Sequence, residues 1–131
     1  MWRYVQSTGR LYQNSTYISV GYSGFGIGRN NPQEQATPNV GPIPCGQYTI
    51  APPVDLHVPG PHGPFVLPLL PNPANEMFGR SGFLIHGDAI HHPGDASHGC
   101  IILRRATRDY LWASGDRALL VVAREAAATI C

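Results

Sequence analysis

Short runs of apolar and aromatic residues recur along the chain, and most of them are bounded by glycine, proline, asparagine or serine. Short apolar runs between turn-forming residues are typical of β-strands rather than helices. We therefore predict strands over the segments 2–6, 10–13, 16–22, 47–50, 83–86, 100–103 and 118–123. The repeated alternation of strand and turn predicts a mainly β fold.

One segment has helical periodicity instead. Ala106, Tyr110 and Ala113 fall on one helical face at i, i+4 and i+7 spacing, and Gly115 follows them. Because glycine commonly ends a helix, this pattern predicts one helix over about 105–114.

Proline and glycine mark the irregular parts of the chain. Segment 23–44 is rich in glycine and asparagine and is predicted to be a long ordered loop, of a kind that is often functional. Segment 52–64 carries five prolines and must be extended or turning. Segment 65–70 is a predicted strand, and Pro68 within it favours an edge strand or a piece that flanks a loop, because proline donates no hydrogen bond. Segment 72–80 is predicted to be another loop.

Length and charge exclude several classes of protein. The 131 residues predict a single domain, 1–131, with one core. The formal net charge is +1, without a basic stripe or cluster, so neither nucleic acid nor an anionic membrane is an expected partner. No apolar run reaches membrane-spanning length, and the chain starts without the apolar segment of a signal peptide. We expect a protein made in the cytoplasm that neither inserts into a membrane nor uses the general secretory route.

The three cysteines form an odd set. Cys45 and Cys131 could pair and leave Cys100 free, or all three could be thiols. No pair has the C-x-x-C spacing of a structural zinc knuckle, so such a site is not expected.

Candidate chemistry is concentrated between residues 86 and 100. His86-Gly87 follows one apolar run, and Ser97-His98-Gly99-Cys100 precedes another. A lone cysteine is most often a small core residue, but a thiol beside a histidine and free backbone amides can act as a nucleophile. If the strands 83–86 and 100–103 are neighbours, the His86 imidazole and the Cys100 thiol can meet. We therefore predict Cys100 as the nucleophile and His86 as its base.

The same segment allows an alternative interpretation as a zinc site. Residue types that bind zinc are grouped within it: His86, Asp88, His91, His92, Asp95 and His98. Pro93-Gly94 prevents their presentation on a helix, and no H-E-x-x-H motif is present. The piece 91–95 is more simply interpreted as an exposed turn, and no metal is expected.

These motifs resemble the signature of the YkuD-like L,D-transpeptidase domain, which has an upstream His-Gly and a downstream Ser/Thr-His-Gly-Cys. Segments 7–12 and 41–50 resemble the first hairpin and the Thr/Gly-Pro-x-Gly-x-Tyr/Phe segment of that family. Segments 22–26, 30–32 and 80–88 are similar to a subgroup of small effectors delivered by bacterial type VI secretion. The resemblance implies a β-sandwich or barrel with one or two short helices.

The resemblance also implies site residues. It assigns catalytic roles to Cys100 as nucleophile, His86 as base, the Gly87 carbonyl as the group that orients His86, and the amides of Gly99 and Cys100 as oxyanion donors. Ser97 and His98 are expected to orient the loop or contact substrate, and Asp88, Arg80 and Arg104 are expected to bind substrate. The family has an arginine two residues after the cysteine where this chain has Ile102, and the candidates to replace it are Arg104, Arg80 and Arg105.

The implied reaction is thioester chemistry on the tetrapeptide stems of peptidoglycan, with no cofactor. Water as acceptor gives carboxypeptidase activity, a free D-amino acid gives exchange, and a second stem gives a crosslink. For an antibacterial effector acting in the periplasm of a target cell, removal or exchange of the terminal D-alanine is expected, together with a cognate immunity protein. A zinc-dependent hydrolase and a wall-binding module without turnover are the alternatives.

Overall fold

The computed structural model describes residues 1–56 and 63–126. The strands are β1 (Trp2–Val5), β2 (Arg10–Gln13), β3 (Thr16–Val20), β4 (Tyr22–Ser23), β5 (Gly46–Ile50), β6 (Val54–Leu56), β7 (Gly63–Pro71), β8 (Leu84–His86), β9 (Ile101–Ile102) and β10 (Ala118–Val122). The α-helix α1 is Arg105–Ala113, and two 3-10 helices are Gly26–Gly28 and Pro32–Glu34. The predictions of a mainly β fold and of the helix are confirmed. No helix in the described ranges has the length and apolarity needed to cross a membrane.

The strands form one continuous path in the order β3-β2-β1-β10-β5-β7-β8-β9-β4, and β6 pairs with β7 beside that path. Most neighbours are antiparallel, but β1 pairs with β10 and β8 pairs with β9 in parallel. The two ends of the path, β3 and β4, are consecutive in sequence and separated only by Gly21. The sheet must therefore bend round on itself, as the expected sandwich or barrel requires, although its hydrogen-bonded path stays open.

The prediction of one strand over 16–22 is wrong, because the chain changes partners at Gly21. A side chain at Gly21 would place its Cβ 1.8 Å from the carbonyl oxygen of Ile102. The Gly21 amide donates to the Gly9 carbonyl at 2.8 Å. Glycine lets the chain pass this tight point, where it leaves β3 and begins β4 on β9.

The prediction that Pro68 marks an edge strand is also wrong. β7 lies inside the sheet, between β5 and β8. Pro68 pairs with Leu84, and its carbonyl accepts a hydrogen bond from the Ala51 amide at 2.9 Å. Proline lacks only the donor, so a strand position that uses its carbonyl tolerates it.

The core lies between this curved sheet and α1. Its fully buried members include Trp2, Tyr4, Leu11, Ile43, Leu67, Ile85, Ile101, Leu111 and Leu119. Ile85 and Ile101 are partners in the β8–β9 register, so the two strands that carry the candidate chemistry are anchored in the core. The predicted loop over 72–80 contains no strand or helix.

Candidate active site

The two motif segments are adjacent because β8 and β9 pair in parallel. In this register His86 lies opposite Ile102, so Cys100, two residues earlier, lies beside Leu84. Side chains two residues apart on a strand share one face of the sheet. Because Cys100 immediately precedes β9, the register leads us to expect its side chain on the same face as that of His86, offset by two positions along the strands. The expectation that these strands are neighbours is confirmed.

Cys100 is a free thiol and is partly buried. Burial raises the pKa of the Cys100 thiol, while a backbone hydrogen bond from Leu84 and the positive charge of Arg80 act in the opposite direction. The net effect favours the neutral thiol. A reaction at Cys100 near neutral pH thus needs a base that removes the proton as the sulfur attacks.

His86 is buried, with 1% of its surface exposed. Its Nδ1 lies 2.8 Å from the carbonyl oxygen of Gly87, and its own carbonyl accepts from the Leu103 amide at 3.0 Å. A carbonyl can only accept, so Nδ1 carries a proton in this contact, and in the neutral imidazole the lone pair is then on Nε2. The contact expected between His86 and the Gly87 carbonyl is present, and it leaves His86 in the tautomer that a base requires.

Ser97 is fully buried beneath the turn that leads to Cys100. Its hydroxyl donates to the Cys100 carbonyl at 2.6 Å and accepts from the amides of Gly24 at 2.9 Å and Gly99 at 3.1 Å. The serine therefore orients the loop, one of its two expected tasks. The Gly99 amide must give up this bond if it is to serve as an oxyanion donor, so that role stays a prediction.

Ser23 supports the same turn from β4, and the sequence assigned it no role. Its hydroxyl donates to the Gly99 carbonyl at 2.9 Å and accepts from the Ile43 amide at 2.9 Å. Gly99 has a φ of +139°, and a Cβ there would lie 2.6 Å from Arg80 Nη2 and 2.8 Å from a ring carbon of Phe83. Glycine is required at this position by both conformation and space.

Arg80 is buried behind the turn, with 8% of its surface exposed. Its two terminal nitrogens donate to backbone carbonyls at 2.6–3.2 Å, those of Gln35, Gly41, Pro42 and His98. These four bonds use all four terminal N–H groups. Arg80 therefore joins the long loop to the Cys100 turn. The expected contact of Arg80 with substrate stays a prediction. Of the N–H groups of Arg80, only the Nε–H is left for such a contact.

Asp88 organises the loop between the two motifs. Its carboxylate accepts from the Tyr22 hydroxyl at 2.5 Å and from the amides of Ala89 at 2.8 Å and Gly94 at 3.1 Å. The Tyr22 oxygen in turn accepts from the Ala96 amide at 3.0 Å. Burial alone would raise the pKa of Asp88, but these hydrogen bonds hold it below the ordinary value of aspartate. The loop thus has a defined shape, and a role of Asp88 in substrate binding stays a prediction.

His98 lies on the rim of the site and is exposed. Its ring stacks on Phe25 with 5.4 Å between centroids, and its Nδ1 lies 3.1 Å from the Asn39 carbonyl oxygen. Its position fits the expected contact with substrate, which stays a prediction.

The arginines considered as replacements at Ile102 lie apart from one another. Ile102 itself is buried against Tyr22 and Ala96. Arg104 is exposed and lines a separate depression. Arg105 forms an ion pair with Asp109 at 2.9 Å on the outer face of α1.

A cavity of about 840 Å³ opens beside the loop that joins the motifs. Its described lining is Gly63, Pro64, Gly87, Asp88, Ala89, Ile90, His91, His92, Asp95, Ala96, His98 and Arg108. His86 and Cys100 do not line this cavity themselves. Gly87 and His98, one and two residues from them in the sequence, do line it. Among the charged residues of this described lining, Arg108 is the one that the sequence did not single out, since a charged residue within a helix carries no local signal of a site.

The zinc alternative gains no geometric support. Within residues 1–56 and 63–126, no three side chains of histidine, cysteine, aspartate or glutamate converge in a metal-binding arrangement. The histidines of the 91–95 turn are exposed. Cys45 is disulfide-bonded, whereas the suggested partner Cys131 lies outside the described residues.

Comparison with known protein families shows which family the chain belongs to. The model of the Tlde1 domain matches residues 18–119, well over half of the chain. The chain belongs to the Tlde1 domain family. The matched segment contains His86, Cys100 and their buried supports Ser23, Arg80 and Ser97. No curated protein and no solved structure matches the chain.

The Tlde1 domain is found in effectors of type VI secretion. The expectations of an antibacterial effector, of delivery into the periplasm of a target bacterium and of a cognate immunity protein agree with this membership.

Proposed function

We propose that this Tlde1 domain is a cysteine acyl-transfer enzyme that removes or exchanges the terminal D-alanine of peptidoglycan tetrapeptide stems. The observation that carries the proposal is the parallel pairing of β8 with β9, because a buried histidine ends β8 and a free, partly buried thiol immediately precedes β9. The motif resemblance supplies the substrate class, and membership in an effector family supplies the biological context.

The first half of the reaction forms a thioester. The Cys100 sulfur attacks the carbonyl carbon of the bond before the terminal D-alanine while His86 Nε2 takes the thiol proton. The resulting oxyanion needs backbone donors, and the amides of Cys100 and Gly99 are the proposed ones. The carbon–nitrogen bond then breaks, and the imidazolium passes its proton to the departing amine. Free D-alanine leaves, and the shortened stem stays bound to sulfur.

The second half transfers the acyl group to an acceptor. His86 removes a proton from the attacking water or amine, the acceptor attacks the thioester carbonyl, and the sulfur leaves and is reprotonated. Water yields a tripeptide stem, and a free D-amino acid yields a stem with a new last residue. Either product deprives a target cell of donors for crosslinking, which is the outcome we propose for an effector.

The direct test is mass analysis of products from purified tetrapeptide stems, with and without added D-methionine. We expect the wild-type protein to release D-alanine and to form the D-methionine product. Cys100→Ala and His86→Ala should each lower the rate by ~10³-fold or more, because nucleophile and base act as one unit. Cys100→Ser keeps the size of the side chain and should be nearly as inactive, which separates chemistry from packing.

Two reagents distinguish the alternatives. Activity that iodoacetamide abolishes and a chelator leaves intact supports the thiol mechanism, whereas loss on chelation supports a zinc hydrolase. Stem binding without D-alanine release or an acyl-enzyme mass would identify a wall-binding module. Full activity of Cys100→Ala would refute the proposal.

A further inference from the structure

Arg108 is a buried cation at the cavity beside the proposed base. It lies on α1 with 4% of its surface exposed. Its guanidinium donates to the carbonyls of Leu103 at 2.5 Å, Phe65 at 3.1 Å and Pro64 at 3.3 Å. A guanidinium has five N–H groups, so these bonds leave two without an acceptor among the described residues.

None of the described carboxylates forms an ion pair with Arg108. In the described ranges the side-chain ion pairs involve Arg10 and Arg105 instead. Burial and the nearby charge of Arg105 lower the pKa of Arg108, and the more favourable charge of Asp109 only partly opposes them. A buried charge without a partner is costly, and an anionic ligand would remove that cost.

The position of the guanidinium beside Gly87 connects it to the proposed reaction. A Cβ on Gly87 would lie 3.1 Å from Arg108 Nη1, so a side chain there would crowd the guanidinium. Gly87 and Arg108 both line the cavity, and Gly87 is the residue whose carbonyl holds His86. The cavity also carries the carboxylates of Asp88 and Asp95. The Asp88 carboxylate already accepts hydrogen bonds from the Tyr22 hydroxyl and from the amides of Ala89 and Gly94.

We propose that Arg108 binds the α-carboxylate of the residue that leaves or enters at the proposed active site. This rests on the proposed function. The departing amine must lie at His86, and in an amino acid the carboxylate is separated from the amine by a single carbon atom. Arg108 contacts the residue next to His86 and has two N–H groups to offer, the number that a carboxylate accepts from a guanidinium. The substrate class is therefore a peptide that ends in a free carboxylate at the bond being cut.

The same place serves the acceptor in exchange. Exchange is the reverse of release, so an incoming D-amino acid must present its amine where the departing amine was and its carboxylate to Arg108. An internal peptide bond, which has no such carboxylate, should be a poor substrate. Arg108 would thus select the last bond of a stem over bonds further inside.

The test compares matched acids and amides. For the leaving residue, the substrates are a tetrapeptide stem ending in D-alanine and the same stem ending in D-alaninamide. For the acceptor, they are D-methionine and D-methioninamide. We expect the wild-type protein to prefer each acid about 10- to 100-fold in kcat/KM, as a charge-assisted hydrogen-bonded pair allows. Arg108→Gln should reduce the acid rates to the level of the amides and leave the amide rates within about threefold.

Arg124→Gln is the matched control, because it removes the same charge from an exposed position. It should keep the preference for the acids. A merely structural role of Arg108 would lower acid and amide rates together, and an unchanged ratio in Arg108→Gln would overturn the inference. If that variant does not fold, Arg108→Lys replaces it and should lose most of the preference, because an ammonium cannot make the two parallel bonds. Equal wild-type rates for acids and amides would also overturn it.

A binding measurement separates this inference from the proposed function. Calorimetry with Cys100→Ala compares the affinities of the two stems without turnover. Tighter binding of the acid that Arg108→Gln abolishes supports the carboxylate site even if the wild-type protein releases no D-alanine. Release of D-alanine together with equal acid and amide affinities and rates would refute the site and leave the proposed reaction standing.

Discussion

At the scale of single residues, the chemistry at Cys100 depends on its surroundings more than on its identity. The thiol is partly buried, and burial raises its pKa. His86 has its Nδ1 against the Gly87 carbonyl, so Nδ1 carries a proton in this contact. In the free protein, burial favours the neutral thiol of Cys100 over the thiolate.

This state predicts how alkylation of Cys100 depends on pH. Only the thiolate reacts, so the rate of modification by iodoacetamide should rise with pH through a midpoint above ~8.5, the ordinary value of a thiol. The measurement is mass spectrometry of labelled protein over time, with Cys100→Ala as the unlabelled control. A rate that is already constant at neutral pH would show a preformed thiolate–imidazolium pair and contradict this prediction.

At the scale of elements, buried polar side chains hold the turn before β9 through hydrogen bonds to its backbone. Ser97 binds Gly24, Gly99 and the Cys100 carbonyl, and Ser23 binds the other side of Gly99. Sequence reasoning found Ser97 through its motif, but its hydrogen bond to the distant Gly24 amide depends on the pairing of β4 with β9. The motif serine is therefore a positioning residue, since its contacts are all with backbone.

Removal of the Ser97 hydroxyl should be costly for stability. Ser97→Ala leaves two buried amides without an acceptor, and we expect the free energy of unfolding to fall by about 2–4 kcal/mol. Ser114→Ala is the control, since Ser114 also bonds to backbone but lies exposed at the end of α1, and it should cost less than about 1 kcal/mol. Urea denaturation measures both. Equal losses in the two variants would refute a special role for the buried serine.

At the scale of the whole molecule, the first and last strands pair with each other. β1 lies in parallel against β10, although β1 and β2 precede the segment that the Tlde1 domain model matches. Just beyond β10, the Glu125 carboxylate accepts from the hydroxyls of Thr8 and Tyr12, each at 2.8 Å. Burial alone would raise the pKa of Glu125, but these bonds and the charges of Arg10 and Arg3 hold it below the ordinary value.

A lowered pKa in the folded state means that the Glu125 carboxylate stabilises the protein only when ionised. The contribution is present above the unfolded value of ~4.3 and is lost as the pH falls through the lower folded value. Glu125→Gln should therefore lower the free energy of unfolding at pH 7 by about 0.5–1 kcal/mol, a small figure because the group is partly exposed. Denaturation at pH 7 and at pH 3 measures the change, which should shrink at pH 3. The exposed Glu76→Gln should show no such dependence, and a constant difference would contradict the prediction.

Much of the fold, and the adjacency of the strands that carry His86 and Cys100, could be predicted from the sequence alone. Strand and helix positions follow from the spacing of apolar residues and from local turn chemistry, which do not depend on distant parts of the chain. The segments 10–13, 105–114 and 118–123 agree closely with the structure for this reason. The motif residues could also be recognised from their types and their order along the chain.

Tertiary structure decided what depends on contacts between distant segments. Pro68 lies inside the sheet because its carbonyl, rather than its missing amide, is used by a neighbour. Arg80 gives its terminal donors to backbone carbonyls, whereas Arg108 lines the cavity and donates to three described carbonyls. Nothing in the sequence around Arg80 and Arg108 distinguishes their roles. The tertiary structure decides which carbonyls lie near each guanidinium. It therefore also decides whether any N–H donor remains for a ligand.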